Sequence, residues 1–263
     1  MCLNGWGGKL HDRLLPYLQA VDPDVLCLQE VVHTPTTKKP WLTYRDGDHV
    51  LPQRANFYRD IANNLPGHTG VFCAAARGVL WDDQTEIPSY WGLATWVRQT
   101  YPVIAQKQTF VHKTFSPHTY GDHPRSRPAH AVRVFDYEKD RPITIAHMHG
   151  LRDLRGKIDT AERAQQAKVF LDLARDVSTD DDPVVLCGDF NVGPQSETLE
   201  ILGNAGFTEL VTSRTHQGTR NSLYPKPEKY ADYLLVNDAV EVMEFDVVFE
   251  PEVSDHCPLI LSC

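Results

Sequence analysis

Residues 184–191 read Val184-Val185-Leu186-Cys187-Gly188-Asp189-Phe190-Asn191, an uninterrupted apolar run followed by a polar turn. Four consecutive apolar residues that end at a glycine predict a buried strand, because a strand covered on both faces has no polar side to alternate with. Asp189 and Asn191 then emerge at the strand end, where a rigid sheet commonly presents functional groups. The stretch therefore predicts a buried sheet with a polar site at its edge.

Other polar clusters border or interrupt apolar runs in the same way. They are Glu30 after 25–29, His149 after 143–148, Asp232 within 230–236, and Ser254-Asp255-His256 before 258–261. A carboxylate inside an otherwise apolar strand is costly unless it is paired. Carboxylate, amide and imidazole groups at strand ends can hold a divalent ion, bind a phosphate and move a proton. The set therefore predicts metal-dependent hydrolysis of phosphoesters.

Helix-like and strand-like patterns alternate along the chain. Apolar residues at helical spacing predict helices at 10–21, 53–65, 160–177 and 196–205. Further strands are expected at 24–30, 68–76, 92–98, 102–111, 129–136, 142–149, 230–236, 240–249 and 257–262, and long irregular stretches at 33–52 and 112–128. Asp159 is the expected cap of the third helix, with Glu162 completing a capping box. The order predicts one layered α/β (α+β) domain over residues 1–263 with mixed sheets.

Composition limits the location and the partners. A net charge of −9 over 263 residues argues against a general nucleic-acid coat, but not against an enzyme that contacts a few phosphates. The six cysteines form no C-x-x-C pair, which favours a reducing compartment. Neither a signal peptide nor an apolar run of about 20 residues is visible. We expect a cytoplasmic monomer without membrane contact.

The polar clusters, taken in order, resemble the motifs of the endonuclease/exonuclease/phosphatase superfamily. They are Asn4, Gln29-Glu30, His149, Gly188-Asp189-Phe190-Asn191, Asp232-Tyr233 and Ser254-Asp255-His256. The resemblance spans nearly the whole chain and implies a four-layered sandwich, in which two facing mixed β-sheets are flanked by helices. Two departures stand out. Only three residues precede Asn4, so either the first strand is short or the sequence starts late, and Trp6 occupies a position where some members carry an aspartate.

The resemblance implies a divalent-metal site, with Mg²⁺ or Mn²⁺ held by Glu30, Asn4 and Asp255. Mg²⁺ prefers hard oxygen ligands and keeps several waters, so one or two carboxylates suffice. A second, transition-metal site would need His147 and His149, which alternate onto one strand face. The alternative, in which His147 is a hydrogen-bonded neighbour of the site, is favoured.

The same resemblance implies catalytic roles for five residues. Asp232 would orient His256, which either accepts a proton from the attacking water or stays protonated while Asp189 activates the water. The sequence leaves both versions open. Asn191 and His149 would donate hydrogen bonds to the phosphate as negative charge builds up.

A basic segment follows His149. Arg152, Arg155 and Lys157 are expected to bind substrate at the rim of the cleft, where they could contact flanking phosphates. Other loop cations are Arg125, Arg127, Arg133, Arg214, Arg220, Lys226 and Lys229, and aromatic residues that could stack bases are Trp41, Tyr44, Tyr90, Trp91 and Tyr120. A solvated loop surface and ordinary packing are the alternative interpretations.

Several functions compete. The first is a nuclease, a Mg²⁺-dependent phosphodiesterase on DNA or RNA, and the second is a hydrolase of small phosphoesters such as a phospholipid head group or a sugar or inositol phosphate. The sequences at 232–235 and 255–258 look most like the apurinic/apyrimidinic endonuclease branch. A non-catalytic module would require a disabled motif, and none is found. Calcineurin-like phosphoesterases are excluded, because their Asp-x-His and Gly-Asn-His motifs are missing.

Overall fold

The computed structural model describes the whole chain, Met1–Cys263, as two β-sheets and five helices. The strands are β1 (Cys2–Asn4), β2 (Val25–His33), β3 (Trp41–Asp46), β4 (His49–Arg54), β5 (His68–Asp82), β6 (Thr85–Arg98), β7 (Val103–His112), β8 (Arg127–Asp136), β9 (Arg141–His149), β10 (Val184–Asp189), β11 (Phe207–Glu209), β12 (Asp232–Asn237), β13 (Glu244–Val247) and β14 (Leu259–Ser262). The helices are α1 (His11–Val21), α2 (Phe57–Asn64), α3 (Ala161–Val177), α4 (Glu197–Asn204) and α5 (Leu210–Ser213).

Both sheets are mixed. The eight-stranded sheet has the order β13-β14-β1-β2-β6-β5-β3-β4, and its only parallel pair is β1 with β2. The six-stranded sheet has the order β11-β12-β10-β9-β8-β7, and its only parallel pair is β9 with β10. In each parallel pair the two carboxyl ends lie at the same edge of the sheet, which places functional side chains next to one another.

The two sheets face each other and are covered by helices on their outer sides. Strands β1 and β2 contact β10, and β5 and β6 contact β8 across the interface. One apolar core of 35 residues fills this interface and the layer beneath α3, which packs on β7, β8 and β9. A second core of 16 residues lies between the eight-stranded sheet and helices α1 and α2. The expected α/β sandwich of two mixed sheets is confirmed.

The segment predicted to be irregular at 33–52 instead contains the strand β3 and most of β4. This hairpin lies at the edge of its sheet, and only Leu42 and Gln53 within it are buried, so its sequence lacks a strong apolar alternation. Because β4 extends to Arg54, helix α2 starts at Phe57 rather than at 53. Strands β5 and β6 are also longer than predicted and form a long antiparallel ribbon.

The predicted cap of α3 is wrong by one residue. Thr160 is the N-cap, and its hydroxyl accepts a hydrogen bond from the backbone N–H of Arg163. The Asp159 carboxylate accepts instead from the backbone N–H of Glu197, at the start of α4. The two adjacent side chains therefore tie the starts of two neighbouring helices.

Three smaller features bear on the sequence-based expectations. Strand β1 has only three residues, which agrees with the expectation of a short first strand. All six cysteines are free thiols, and five of them are buried. None of the helices combines the length and the apolar character that crossing a membrane requires.

Candidate functional site

Three neighbouring strands of the six-stranded sheet place polar side chains in one row. Asp189, at the end of β10, pairs in register with His149 of β9 on one side and with Asp232 of β12 on the other. Gly188 has a φ of +142°, and a Cβ there would lie 2.1 Å from the Met148 carbonyl oxygen. Only glycine therefore permits this close approach of the strands next to Asp189.

The eight-stranded sheet contributes Asn4 and Glu30 from the opposite side. Asn4 ends β1, and its Nδ2 donates to Asp189 Oδ2 at 3.0 Å across the sheet interface. Glu30 was predicted at a strand end but lies within β2, at a bulge between Leu28 and Val31. Its φ of +55° is unusual for a residue with a side chain. A bulge re-aims a side chain, which here turns the carboxylate towards the site.

Asp232 and His256 form a buried carboxylate–imidazole pair. The Nδ1 atom of His256 lies 2.8 Å from both carboxylate oxygens of Asp232, and the Thr219 hydroxyl donates to Asp232 Oδ2 at 2.8 Å. Burial lowers the pKa of His256 and raises that of Asp232 to about 6. At neutral pH a neutral imidazole thus donates its Nδ1–H to a carboxylate. The free Nε2 lies 3.7 Å from Asp189 Oδ2.

Carboxylates crowd the same volume. Burial, then the charges of Asp255 and Asp189, raise the pKa of Glu30. Arg220 binds Asp255 Oδ2 at 2.7 Å, but Asp255 Oδ1 is buried without a hydrogen-bond partner. Buried charges are normally paired or bound to a metal, and oxygen donors suit Mg²⁺. The unpaired oxygen and the crowded carboxylates therefore fit a divalent cation.

A second group of candidate metal ligands lies beside Glu30 and Asp255 and includes Asp189. Oxygen and nitrogen atoms of Asp189, Asp232 and His256 lie within 4.8 Å of one another, and all three residues are buried. These residues could hold a metal ion, although Asp232 already binds both His256 and Thr219. This second group was not predicted from the sequence, which assigned the ligands to the other sheet and to Asp255.

His149 and Asn191 both border Asp189. His149 Nε2 lies 3.8 Å from Asp189 Oδ2, and its ring centroid is 5.4 Å from that of Trp91. The backbone N–H of Asn191 donates to Asp189 Oδ1 at 3.0 Å, and its Nδ2 donates to the Gly150 carbonyl at 3.3 Å. The structure therefore brings the eight predicted metal-binding and catalytic residues together around Asp189.

The three predicted substrate-binding cations do not behave alike. Lys157 is half-buried, donates to the Tyr230 carbonyl and has its pKa lowered by burial. Arg152 is exposed, and its charge contributes, after burial, Arg127 and His256, to the lowered pKa of His149. Arg155 forms an ion pair within its own loop, and its position at the rim stays a prediction. Its exposed guanidinium binds Asp153 through Nε at 3.0 Å and Nη2 at 2.6 Å, which turns it to its own loop.

Two residues that support the site were missed from the sequence. Thr219 bonds Asp232, as described above, from a loop with no recognisable pattern. Arg163, in α3, is 1% exposed and donates through Nη2 to the carbonyls of Leu151, Gly156 and Asn191 at 3.4, 3.0 and 3.1 Å. It thereby holds the loop that carries Arg152 and Lys157. Nothing in the amphipathic helix pattern marks an arginine as buried.

His147 is a structural neighbour of the site. Its Nδ1 lies 3.0 Å from Gln29 Nε2, and its Nε2 lies 2.8 Å from the Thr95 hydroxyl, which also contacts His130 Nδ1 at 2.7 Å. Both ring nitrogens are occupied, so the alternative of a transition-metal site at His147 and His149 is wrong. The buried chain of four polar side chains instead links the two sheets behind the site.

Solved structures of several differently named proteins have the same fold as this chain. A mannosyl-6-phosphatase from Bacteroides thetaiotaomicron superposes with a TM-score of 0.69 at 16% identity, covering 97% of this chain and 91% of that one. The catalytic domain of human nocturnin with a bound sulfate anion superposes with a TM-score of 0.62 at 18% identity, covering 97% of this chain and 87% of that one. An endonuclease/exonuclease/phosphatase family protein from Leptotrichia buccalis superposes with a TM-score of 0.67 at 16% identity, covering 99% of this chain and 97% of that one. At such identities the likeness establishes the fold alone.

Sequence comparison establishes the family. No curated protein matches the chain. Residues 2–256, from the first residue of β1 to the imidazole that faces Asp189, match the Endonuclease/Exonuclease/phosphatase family. The match includes both halves of the buried pair and the carboxylates around it. The chain therefore belongs to the endonuclease/exonuclease/phosphatase family of phosphoester hydrolases.

Proposed function

We propose that the protein is a divalent-metal-dependent phosphoester hydrolase that uses His256 as its general base. The observation that carries the proposal is the buried Asp232–His256 pair, whose free Nε2 faces Asp189 Oδ2 at 3.7 Å. Glu30, Asn4 and Asp255 would hold Mg²⁺ or Mn²⁺, which when bound supplies positive charge to the phosphate oxygens. These oxygen donors fit such an ion through the unpaired Asp255 Oδ1.

The pair supports one of the two catalytic versions over the other. The Asp232 carboxylate keeps the His256 proton on Nδ1, so Nε2 can accept a proton from the attacking water. Burial lowers the pKa of His256, which opposes the version in which a protonated His256 assists Asp189. Asp189 accepts hydrogen bonds from Asn4 Nδ2 and the Asn191 backbone. It therefore orients groups from both sheets around the water.

Nucleic acid is the first proposed substrate class. Arg152 and Lys157 lie on the loop that Arg163 anchors. The charge of Arg152 acts on His149, and that of Lys157 interacts with Asp189 and Asp232. Cations beside a cleft can bind the phosphates that flank a scissile phosphodiester. The protein would then act as a phosphodiesterase on DNA or RNA.

A small phosphoester is the second candidate, and two observations favour it. The Arg155 charge is paired with Asp153, which leaves it less available to a substrate phosphate, and the chain carries a net charge of −9. A polymer with many phosphates would be repelled by that charge outside the immediate site. A small substrate with a single phosphate would avoid this repulsion.

A substrate panel separates the two classes. Plasmid, single-stranded DNA, abasic duplex DNA, RNA, a sugar phosphate and generic phosphodiester and phosphomonoester dyes would be incubated with Mg²⁺ or Mn²⁺, and with His256→Ala prepared in parallel. Activity present in the wild type and lost in the variant supports the hydrolase. Equal activity in both preparations, or none on any substrate, contradicts it.

The response to salt tests the substrate class. Nucleic-acid binding weakens steeply with added salt, because each phosphate contact releases counterions. KM for a nucleic-acid substrate should therefore rise at least about tenfold between low and moderate salt. A flat response, together with turnover of the sugar phosphate, would remove nucleic acid and leave the small-phosphoester hydrolase.

A further inference from the structure

Arg127 makes a contact that fixes a proton on the neighbouring imidazole. It starts β8, beside the end of β9, and its Nη1 lies 3.3 Å from Nδ1 of His149. An arginine side chain has only hydrogen-bond donors and stays charged in proteins. His149 Nδ1 must therefore be the acceptor, without a proton. The single proton of the neutral ring then resides on Nε2.

The contact is held from several sides. Arg127 is 3% exposed, and its guanidinium stacks 5.2 Å from the ring centroid of Trp91, on β6 of the opposite sheet. Trp91 also packs against His149. Glu30 and Asp189 supply the negative charge that faces Arg127. Its Nε has no protein partner, so the guanidinium is not part of a structural hydrogen-bond network beyond His149.

The two imidazoles of the site thus have opposite proton arrangements. His149 Nε2 and His256 Nε2 lie 3.8 and 3.7 Å from the same oxygen, Asp189 Oδ2. A carboxylate at Nδ1 of His256 leaves its Nε2 unprotonated, whereas a guanidinium at Nδ1 of His149 leaves its Nε2 protonated. Of the two imidazoles beside Asp189, His256 is a base and His149 is a donor.

We propose that Arg127 is a positioning residue that fixes His149 as the neutral Nε2–H tautomer, a permanent hydrogen-bond donor to a substrate phosphate oxygen. The inference deepens the proposed hydrolase function and rests on it for the identity of the acceptor. His149 donates a hydrogen bond and transfers no proton, because its only unprotonated nitrogen is covered by Arg127. Of the two imidazoles beside Asp189, only His256 can then accept a proton from water.

Nitrogen NMR tests the tautomer without any substrate. Long-range ¹H–¹⁵N correlation spectra of the uniformly labelled full chain would be recorded at neutral pH, and His149→Gln would identify the His149 signals among the 12 histidines. The expected wild-type pattern is an unprotonated, hydrogen-bonded Nδ1 and a protonated Nε2. A protonated Nδ1, or a charged ring, would overturn the inference while leaving the hydrolase proposal intact.

Substitutions at Arg127 test the cause. Arg127→Met keeps an unbranched apolar stem but removes the charged donor, so the Nδ1 signal should move and the Nδ1–H tautomer should appear. Arg127→Lys retains a donor and should preserve the wild-type pattern. Arg133→Met is the matched control, since Arg133 lies on the same strand but binds Asp182 through Nε at 2.6 Å. An unchanged His149 pattern in folded Arg127→Met would refute the proposed role.

Kinetics separate positioning from direct contact with the substrate. If Arg127 acts through His149, Arg127→Met and His149→Gln should each lower kcat by about tenfold or more, and the double variant should be no slower than His149→Gln alone. KM should change little, and Arg127→Lys should recover part of kcat. Multiplicative losses in the double variant would show that Arg127 binds the substrate itself, and would overturn the positioning role. Because the NMR result needs no turnover, failure of the proposed hydrolase activity would be recognised separately.

Discussion

His256 Nδ1 lies 2.8 Å from both carboxylate oxygens of Asp232, although Asp232 belongs to one sheet and His256 to the segment that leads into the other. Asp232 starts β12 of the six-stranded sheet, and His256 precedes β14 of the eight-stranded sheet. The pair forms only when the two sheets are packed together. The general base of the proposed reaction is therefore a product of the sandwich interface.

Loss of either member of this pair should abolish most of the activity. We expect His256→Ala and Asp232→Asn each to lower kcat by roughly 10²-fold or more, as loss of a general base or its orienting partner typically does. Thermal unfolding should stay cooperative in both variants. Steady-state kinetics with circular dichroism checks this. Near wild-type kcat in either variant would show that the pair is not the proton carrier.

Hydrolysis should depend on a divalent cation. EDTA should stop turnover, and excess Mg²⁺ or Mn²⁺ should restore it, because Glu30 lies among the carboxylates of Asp255 and Asp189, and the Oδ1 atom of Asp255 is buried without a hydrogen-bond partner. Glu30→Gln should raise the Mg²⁺ concentration for half-maximal activity by roughly tenfold or more, a loss seen even for residues that only support a ligand. The exposed Glu86→Gln is the control. Full activity in excess chelator would contradict the metal site.

Acid should destabilise the fold through the histidines behind the site. Burial lowers the pKa of His130 from 6.5 to about 4. The native state thus favours the neutral ring, and the stability it contributes is complete above about pH 6.5 and is lost as the pH falls towards 4. His130→Gln keeps a group able to bond Thr95. Between pH 7 and pH 4.5 its free energy of unfolding should fall by less than that of the wild type, with a difference on the order of 2 kcal/mol. Urea unfolding at pH 7 and pH 4.5 measures the difference. Parallel losses in both proteins would assign the acid sensitivity elsewhere.

Arg163 should control the loop beside the cleft. Arg163→Met leaves the carbonyls of Leu151, Gly156 and Asn191 without their donor and should lower the free energy of unfolding by about 2 kcal/mol or more. KM should rise, since Lys157 lies on the released loop. The control is Arg175→Met, on the same helix with a side chain 64% exposed. Hydrogen exchange should be faster in residues 151–158 of the Arg163 variant only. Unchanged exchange there would show that the loop is held by other contacts.

The clusters that sequence analysis identified share a local signal. Asp189, Asp232 and His256 each interrupt or border an apolar run, so their cost of burial is visible in the sequence itself. Thr219 and Arg163 give no such signal, because one lies in a loop and the other occupies an ordinary helix position. The pairing of Arg155 with Asp153 was not predicted either, because side-chain direction in a loop has no periodicity to follow.

The sequence by itself determined the buried strands that carry Asp189 and Asp232, the polar residues of the site and the family to which they point, because these depend on short-range periodicity and motif order. Only the tertiary structure decided which atoms meet. The facing of the sheets brings Asn4 to Asp189 and His256 to Asp232, and it buries Arg127 against His149. The proton positions follow from these contacts, because an imidazole takes its tautomer from the partner at its other nitrogen. That partner comes from a distant part of the chain, so the sequence pattern around each histidine cannot specify it.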